Sequence, residues 1–391
     1  MKQLHLQKNI EESLLHGHPW VFHDAIKMTG DYADGEVVEL LDRHGAFLAR
    51  GTVEPRSPLR FRVWTLNPKE KVDRTLLRRR LKQALAFRRA TIPAHVTGYR
   101  LCHGENDHLP GLQCDLYEDV ASLRTDGALG VAWEQRFVEA VQDIVAPKAI
   151  VVRNPKVAKG RARLVFGELP DTIFMTEGPV NNQRRYEVDV LRGMKTGFFV
   201  DQRDNRDLIG SICAGRKVLN LFAYTGGFSV AAALGGALHT TTVDQSKAAI
   251  NNARRNFEHN KLDPSQHDFI AGDAFELLEN IATTRRGEFD LIIADPPSFA
   301  PNRRSLKQAK RAYQRLNSLA LSALPPGGLL ATASCSSHIR EADFLDILAR
   351  SAAQSGRQTT VLTTRGAAPC HPTRLGFDEG RYLKFLLLGV A

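Results

Sequence analysis

The chain has 391 residues, 43% of them hydrophobic and 25% charged, which predicts two or three folded domains and excludes a disordered chain. A formal net charge of +10 favours a polyanionic partner, nucleic acid being the leading candidate. No apolar run is long enough to span a bilayer and the first residues lack the apolar core of a signal peptide, so we expect a cytoplasmic protein without a membrane partner. The five cysteines are scattered and never form a C-x-x-C pair, which argues against a disulfide framework and a zinc site.

Short apolar runs separated by turn residues predict a small β-rich domain near the start of the chain. Val37–Leu41 and Ala46–Ala49 are such runs. Leu59–Trp64 alternates apolar and basic residues, so one face can pack while the other presents arginines. This pattern suits an RNA-facing strand and a solvated strand alike.

An amphipathic helix is predicted between Val72 and Ala90, where leucines recur at helical spacing. We expect its outer surface to be strongly basic and either solvated or in contact with RNA. The cations assigned to that surface are Arg78, Arg79, Arg80, Lys82, Arg88 and Arg89.

The pattern from Tyr99 to Pro179 is mixed, with strand-like Ile150–Val152 and a helical stretch from Trp133 to Val145. We therefore predict a β-rich domain at 1–68, a small α+β central domain at 72–177 and a third domain at 178–391.

Apolar strands alternate with helical segments after Gly178, which predicts an α/β domain with a parallel sheet covered by helices on both faces. The strands predicted from these runs are Lys217–Phe222, Thr240–Asp244, Phe289–Asp295 and Gly328–Ala333. Ligands bind such sheets at the carboxyl ends of the strands.

Polar and glycine residues follow these strands in a fixed order. A turn with Gly226 and Gly227 follows the first strand, where glycine lets the backbone approach a ligand closely. Asp244 ends the second strand, where a carboxylate can accept hydrogen bonds from two ribose hydroxyls. A further element, Phe269–Phe275, contains Asp273, and Asp295 ends the strand Phe289–Asp295. Aspartates also cap helices and turns, but together these residues indicate a ribose-containing cofactor.

In this order the motifs resemble those of class I S-adenosylmethionine-dependent methyltransferases, and more closely those of the RlmI-like family of large-subunit ribosomal RNA methyltransferases. The likeness extends over nearly the whole chain. Ser13–Phe22 is similar to the opening of that family's PUA domain, a small RNA-binding β-barrel. Tyr99–Leu112 resembles its central domain, and Thr196–Arg206 the segment that folds over the cofactor. The implied fold is a Rossmann-like methyltransferase domain preceded by a PUA-like domain and an α+β domain.

The resemblance implies S-adenosylmethionine as the cofactor and assigns residues to it. The turn from Phe222 through Gly227 would hold the methionine part, Asp244 the ribose and Asp273 the adenine. The full set implied is Phe199, Gln202, Arg206, Phe222, Tyr224, Thr225, Gly226, Gly227, Asp244, Asp273 and Asp295. Asn220 stands where class I enzymes often have an acidic residue.

Cys335 follows the last of these strands and is flanked by small residues that leave its sulfur reachable. A lone cysteine is often only a small buried hydrophobic residue. In cytosine-C5 methyltransferases, however, a thiolate must add to carbon-6 to make carbon-5 nucleophilic. By resemblance Cys335 is the nucleophile, and Asp295 binds the cytosine ring or assists its protonation. Ser298 stands where other RNA cytosine-C5 enzymes often carry a second cysteine.

Recognition of RNA is expected around the Asp295 loop, because the target base must leave its stack to reach the sulfur. Phe299 is a candidate stacking platform, and a dense basic stretch after it suits phosphate binding. The residues assigned to the substrate are Pro296, Pro297, Ser298, Phe299, Arg303, Arg304 and Lys307, and the basic stretch continues with Lys310, Arg311 and Arg315. The expected partner is large-subunit (23S) ribosomal RNA and the expected product 5-methylcytosine.

Three alternatives stay open at this point. An acidic-Pro-Pro loop can also hold an exocyclic amine or ring nitrogen of RNA, in which case Cys335 is structural. A non-catalytic RNA-binding assembly factor is a second alternative, although the glycines and carboxylates of the site are intact. A nicotinamide-dependent oxidoreductase is disfavoured, because G-x-G-x-x-G is missing. The residues leave the oligomeric state open, a homodimer being one option.

Overall fold

The computed structural model describes residues 1–300 and 302–391, except for the side chains of residues 158 and 303. The chain forms two compact units. The first comprises Met1–Met175, Val188–Asp201 and Pro369–Gly380, and the second Thr176–Glu187, Gln202–Ala368 and Arg381–Ala391. The domain division at 1–68, 72–177 and 178–391 stays a prediction.

The first unit contains two sheets. One has six strands in the order β2-β6-β5-β4-β1-β3, and the other has five in the order β11-β10-β9-β8-β7. The strands are β1 (Gln3–Leu6), β2 (Trp20–Phe22), β3 (Ile26–Lys27), β4 (Val37–Leu41), β5 (Phe47–Val53), β6 (Leu59–Thr65), β7 (Gly98–His103), β8 (Leu112–Tyr117), β9 (Val120–Thr125), β10 (Ala149–Arg153) and β11 (Arg163–Gly167). The helices are α1 (Glu11–Leu15), α2 (Arg74–Thr91) and α3 (Gly127–Val145).

The α2 helix is present as predicted, but its basic outer surface is smaller than expected. Arg88 is 2% exposed and its guanidinium donates to both carboxylate oxygens of Asp107, at 2.7 and 2.6 Å. Arg80 is also buried and donates to the carbonyl oxygens of Trp64 and His108. Both arginines lie on the packed face because these partners offset the desolvation of their charge.

Strand β6 was predicted to present arginines on one face. It differs from that prediction because Arg62 also has buried ion-pair partners. Arg62 is buried, and it forms ion pairs with Glu105 and Glu54 instead of facing solvent. Arg62 is therefore not available as an RNA-facing side chain.

A two-stranded sheet joins β12 (Ile173–Glu177) and β13 (Arg184–Val188). The second unit is built on a seven-stranded sheet in the order β16-β15-β14-β17-β18-β20-β19. Its strands are β14 (Lys217–Leu221), β15 (His239–Asp244), β16 (Asp268–Ala271), β17 (Leu291–Ala294), β18 (Leu329–Ser334), β19 (Thr359–Arg365) and β20 (Lys384–Val390). Its helices are α4 (Arg203–Ile212), α5 (Gly227–Leu234), α6 (Lys247–His259), α7 (Ala274–Thr284), α8 (Leu306–Ala323) and α9 (Glu341–Ser355).

The strand order of this sheet fixes where a ligand can bind. Strands β16, β15, β14, β17 and β18 are parallel, so their carboxyl ends lie at one edge, whereas β20 runs antiparallel to β18. Along the chain the sheet grows from β14 outward through β15 to β16, and then resumes on the other side of β14 with β17. A crevice for a ligand is expected at this reversal, between the ends of β14 and β17. None of the described helices is long and apolar enough to cross a membrane.

Candidate active site

The turn after β14 has a backbone that few sequences can adopt. Phe222, Tyr224 and Gly226 all have positive φ, at 56°, 49° and 77°. At Gly226 an added Cβ would lie 2.9 Å from the Cβ of Ala253, so a side chain is excluded. Helix α5 begins directly afterwards at Gly227, and no described side chain caps it. The amides of its first turn can therefore serve a ligand.

Asp244 lies beside this turn at the carboxyl end of β15. Its Oδ2 accepts a hydrogen bond from the Tyr224 N–H and its Oδ1 one from the Ser246 N–H, both at 2.8 Å. The carboxylate thus fixes the glycine turn and is itself oriented by it. Each oxygen of a carboxylate has two lone pairs, so these bonds leave acceptor capacity for two hydroxyl groups.

Asp273 follows β16 and caps helix α7. Its Oδ1 accepts from the Phe275 and Glu276 N–H groups, and Gln245 Nε2 donates to its Oδ2 at 2.7 Å. Burial raises the pKa of Asp273, but the two backbone donors and Gln245 outweigh it, so that the pKa lies below its ordinary value. The carboxylate is ionised at neutral pH.

Thr225 carries a buried polar atom within the turn. Its hydroxyl is buried, and across residues 1–300 and 302–391 it has no hydrogen-bond partner. The same is true of Asn220 Oδ1, whereas Asn220 Nδ2 donates to Ser229 Oγ at 2.9 Å. Orphaned polar atoms are costly to bury, and a polar ligand at the turn relieves this. These donors and acceptors fit a nucleoside with a charged amino-acid tail.

Asp295 follows β17 and is held by a chain of side-chain amides. Gln202 Nε2 donates to Asp295 Oδ2 at 2.9 Å, and Asn205 Nδ2 donates to Gln202 Oε1 at 2.6 Å. Gln202 and Asn205 are buried, whereas Asp295 is half-buried. Gln202 therefore fixes the orientation of the Asp295 carboxylate.

Cys335 is brought close to the Asp295 loop by the neighbouring strand. Strands β17 and β18 pair in parallel, with Ala294 opposite Thr332. The sulfur lies 3.9 Å from the carbonyl oxygen of Pro296. Cys335 is half-buried, while Cys102, Cys114, Cys213 and Cys370 are buried. A ligand at this edge of the sheet can therefore reach the Cys335 sulfur.

The remaining loop residues differ in exposure. Pro296 is buried, whereas Pro297 and Ser298 are exposed. Phe299 is partly buried and its ring centroid lies 4.7 Å from that of Tyr313. The ring centroid of Phe275 lies 6.3 Å from that of Phe299, so two aromatic rings of the protein are neighbours of Phe299.

The basic stretch after this loop is largely exposed. Arg304, Lys307 and Arg311 face solvent, and Lys307 and Arg311 lie one turn apart on α8. The two other described cations have partners, since Lys310 pairs with Asp343 and Arg315 with Glu279. The side chain of Arg303 lies outside the described residues.

Arg206 takes part in a buried ion cluster that the sequence did not reveal. Its Nε and Nη2 donate to the two carboxylate oxygens of Glu177, at 2.6 and 2.5 Å. Arg184 also pairs with Glu177, and with Asp207. The assignment of Arg206 to the cofactor stays a prediction, and through this cluster the residue anchors α4, which carries Asn205.

Replacing Glu177 with glutamine is expected to lower the free energy of unfolding by about 3 kcal/mol, because two guanidinium groups lose their buried counter-charge. Urea unfolding at pH 7 measures this. The matched control is Glu279→Gln, which breaks an exposed ion pair with Arg315 and should cost less than about 1 kcal/mol. Equal losses in the two variants would contradict the prediction.

The same variant has a defined pH dependence. Burial raises the pKa of Glu177, but Arg206 and Arg184 outweigh it and hold the pKa below its ordinary value of 4.5. The stabilisation is therefore present above that pH and is lost as the pH falls through the lowered pKa. The difference between wild type and Glu177→Gln should narrow on acidification.

Phe199 lies in the first unit. Its ring contacts the Lys195 ammonium, 4.3 Å from the ring centroid. Its assignment to the cofactor stays a prediction.

Lys384 is a residue of this region that the sequence analysis missed. It is buried at the start of β20, and its Nζ donates to the carbonyl oxygens of Ser336 and Tyr382. The sequence feature that could have revealed it is a single lysine directly before the apolar run Phe385–Leu388.

The parallel sheet, the glycine turn after its first strand and the carboxylates at the following strand ends define a Rossmann-like methyltransferase of class I. A family profile described as S-adenosylmethionine-dependent methyltransferase matches residues 164–362, and one described as PUA-like domain matches residues 4–66. The chain is therefore an S-adenosylmethionine-dependent methyltransferase, and the fold class predicted from the sequence is confirmed.

Related proteins that match over almost the whole chain identify the family. Proteins named ribosomal RNA large subunit methyltransferase I are 40% identical in Tolumonas auensis, 38% in Aeromonas salmonicida and 37% in Escherichia coli O157:H7, each covering 98% of both chains. The chain belongs to the family of these proteins, as the resemblance of its motifs predicted.

Solved structures agree on the fold. SMU.776, a candidate methyltransferase solved in complex with SAH, superposes with a TM-score of 0.88 at 24% identity, and both chains are covered completely. A candidate methyltransferase from Streptococcus mutans gives a TM-score of 0.87 at 23% identity, again over the whole of both chains.

Proposed function

We propose that the chain methylates carbon-5 of a cytosine in large-subunit ribosomal RNA, with Cys335 as a covalent nucleophile. The observation that carries this proposal is the half-buried Cys335 sulfur, 3.9 Å from the Pro296 carbonyl oxygen in the loop that begins with Asp295. The names of the family's relatives support the RNA substrate.

The cofactor is proposed to lie along the ends of β14, β15 and β16. The turn Phe222–Gly227 would hold its methionine part, with the Thr225 hydroxyl as one partner, and Asp244 would accept from the ribose hydroxyls. Asp273, beyond Asp244, would accept from the adenine amino group. When bound, S-adenosylmethionine supplies an electrophilic methyl group on a sulfonium sulfur.

The chemistry assigned to Cys335 follows from the electronic structure of cytosine. Its thiolate donates an electron pair to carbon-6, forming a sulfur–carbon bond, and the electrons of the 5,6 double bond become available at carbon-5. After carbon-5 has gained the methyl group, a base removes its proton. The electrons of that C–H bond restore the 5,6 double bond and expel the thiolate.

Asp295 is proposed to bind the cytosine ring, oriented by the hydrogen bond from Gln202. Removal of the carbon-5 proton is assigned to Asp295, to the exposed Ser298 or to water, since no cysteine follows Pro297. Phe299 is proposed to stack on the flipped base with the part of its ring that stays exposed.

The experiment that tests this function is methylation of ribosomal RNA by the purified chain, with a methyl-labelled cofactor and mass spectrometry of the nucleosides. The expected product is labelled 5-methylcytidine. A label on an exocyclic amine or ring nitrogen would contradict the thiolate mechanism and favour a structural Cys335. No transfer to large-subunit RNA would contradict the substrate.

RNA binding is expected to depend on the exposed cations after the Asp295 loop. Replacing Arg304, Lys307 and Arg311 with alanine should weaken RNA binding about tenfold or more near 0.1 M salt, because each lost phosphate contact removes a counterion-release contribution. Filter binding across a salt series measures this, and a shallower salt dependence is also expected.

The control is a triple alanine variant of Lys217, Lys261 and Arg350, which are exposed cations elsewhere in the second unit. This variant lowers the net charge by the same amount as the Arg304, Lys307 and Arg311 variant. Equal weakening in both variants would show that overall charge, rather than this surface, governs binding. The affinity for S-adenosylmethionine should stay the same in both.

A further inference from the structure

Lys384 is a buried cation held against the backbone that carries Cys335. It is 4% exposed and pairs across the sheet with Ser334, the residue before Cys335. Its Nζ donates to the carbonyl oxygen of Ser336, the residue after Cys335, and to that of Tyr382 at 2.7 Å. The backbone of Lys384 therefore lies beside one neighbour of the candidate nucleophile, and its ammonium group contacts the other.

Stability alone does not account for this lysine. Within the described residues no carboxylate forms an ion pair with Lys384, and a buried ammonium loses its hydration. Burial lowers the pKa of Lys384 to about 8, against the opposing influence of Cys335 and the carboxylates Asp343 and Glu341. Because this pKa lies below the ordinary 10.5, the charge lowers the stability of the folded state at neutral pH, yet the group stays mostly protonated there.

We propose that Lys384 is a positioning residue whose ammonium group stabilises Cys335 as a thiolate and fixes the turn that presents its sulfur. The inference rests on the proposed function, because it deepens the role given there to Cys335. A cation beside a thiol favours the thiolate, which is the form that adds to carbon-6.

Four other ionisable groups lie near Lys384 and Cys335. Asp343 of α9 is paired with Lys310, which offsets its charge. Burial raises the pKa of Tyr313 on α8 far above neutrality, so its phenol carries no charge. Glu341 raises the pKa of Lys384, and the Asp295 carboxyl group raises that of Tyr313. Both carboxylates therefore place negative charge near this position, and the Lys384 ammonium group opposes it.

The test is the pH dependence of Cys335 alkylation by iodoacetamide in the full chain, followed by mass spectrometry of the peptide that contains it. Lys384→Gln removes the charge but keeps N–H donors for the two carbonyl oxygens. We expect alkylation of Cys335 at pH 7 to slow about tenfold in this variant, with its midpoint at higher pH. Lys384→Arg should restore the wild-type profile.

Two controls separate charge from folding. Lys261→Gln removes an exposed lysine and should leave the alkylation profile unchanged. If Lys384→Gln fails to fold, the ultraviolet absorbance of the thiolate, titrated in wild type against Cys335→Ser, gives the midpoint without altering Lys384. That midpoint is expected below about 8.5, the value of an unperturbed thiol.

An alkylation profile identical in wild type and Lys384→Gln would overturn the inference, as would a titration midpoint at or above that of a free thiol. The failure of the proposed function has a different signature, namely full methyl transfer by a variant without the Cys335 sulfur. A structural role for Lys384 alone predicts normal alkylation in Lys384→Gln, whereas the electrostatic role predicts the slower rate.

Discussion

Replacing Cys335 with alanine is expected to reduce methyl transfer to ribosomal RNA by at least about a thousandfold, because carbon-5 of cytosine then has no nucleophile to activate it. The loss should lie in kcat rather than in RNA affinity, since the thiolate acts in the covalent step. Single-turnover transfer of a labelled methyl group measures it. Calorimetry with S-adenosylmethionine should give an unchanged affinity, because Cys335 follows β18, two strands away from the turn after β14.

The matched control is Cys213→Ala, which removes a buried thiol at the end of α4 in the same unit. This variant should keep its turnover. Undiminished turnover in Cys335→Ala would reject the thiolate mechanism and favour nitrogen methylation. In wild type, RNA with 5-fluorocytosine at the target should form a stable covalent adduct with Cys335, because the base cannot then remove a proton from carbon-5.

The parallel sheet could be predicted from the sequence because its strands are buried on both faces and therefore appear as short apolar runs. Strands β14, β15, β17 and β18 lie where those runs predicted them. Phe222 is the instructive boundary error, since it was placed in the first strand but occupies the turn with a positive φ. A hydrophobic residue in a strained turn looks like the end of a strand.

The buried cations could not be predicted, because their partners lie far away along the chain. Arg88 meets Asp107, 19 residues away, and Arg206 meets Glu177, 29 residues away. Phe87, on the same helix as Arg88, is 64% exposed although it is apolar. Hydrophobic periodicity predicts which face of a helix packs against the protein. Only the tertiary structure shows which charged side chains on that helix have an ion-pair partner. The cytoplasmic location and the homodimer stay predictions, since the contacts within one chain test neither.

Replacing Asp244 with asparagine is expected to weaken S-adenosylmethionine binding about a hundredfold. Two hydrogen bonds from ribose hydroxyls to a carboxylate contribute about 1.5 kcal/mol each, and each 1.4 kcal/mol corresponds to a factor of ten. The amide also turns a donor toward either the Tyr224 or the Ser246 N–H, both of which now donate to the carboxylate. Calorimetry with S-adenosylmethionine and with S-adenosylhomocysteine measures the loss, which should be similar for both ligands.

The control for this change is Asp263→Asn, a carboxylate that also accepts from a backbone N–H but precedes β16, at the amino end of the strands. Its cofactor affinity should match wild type. Loss of affinity in Asp244→Asn alone would still leave two explanations, a missing ribose contact or a disturbed glycine turn.

A ligand without its ribose hydroxyls separates these explanations, because it completes a double-mutant cycle between Asp244 and the ribose. If Asp244 accepts from those hydroxyls, deoxygenated S-adenosylhomocysteine should bind wild type weakly and lose little more in Asp244→Asn. If the carboxylate serves only to hold the Tyr224 and Ser246 amides, the two losses should add. Additive losses would remove Asp244 from the cofactor contacts and leave it as the group that shapes the turn.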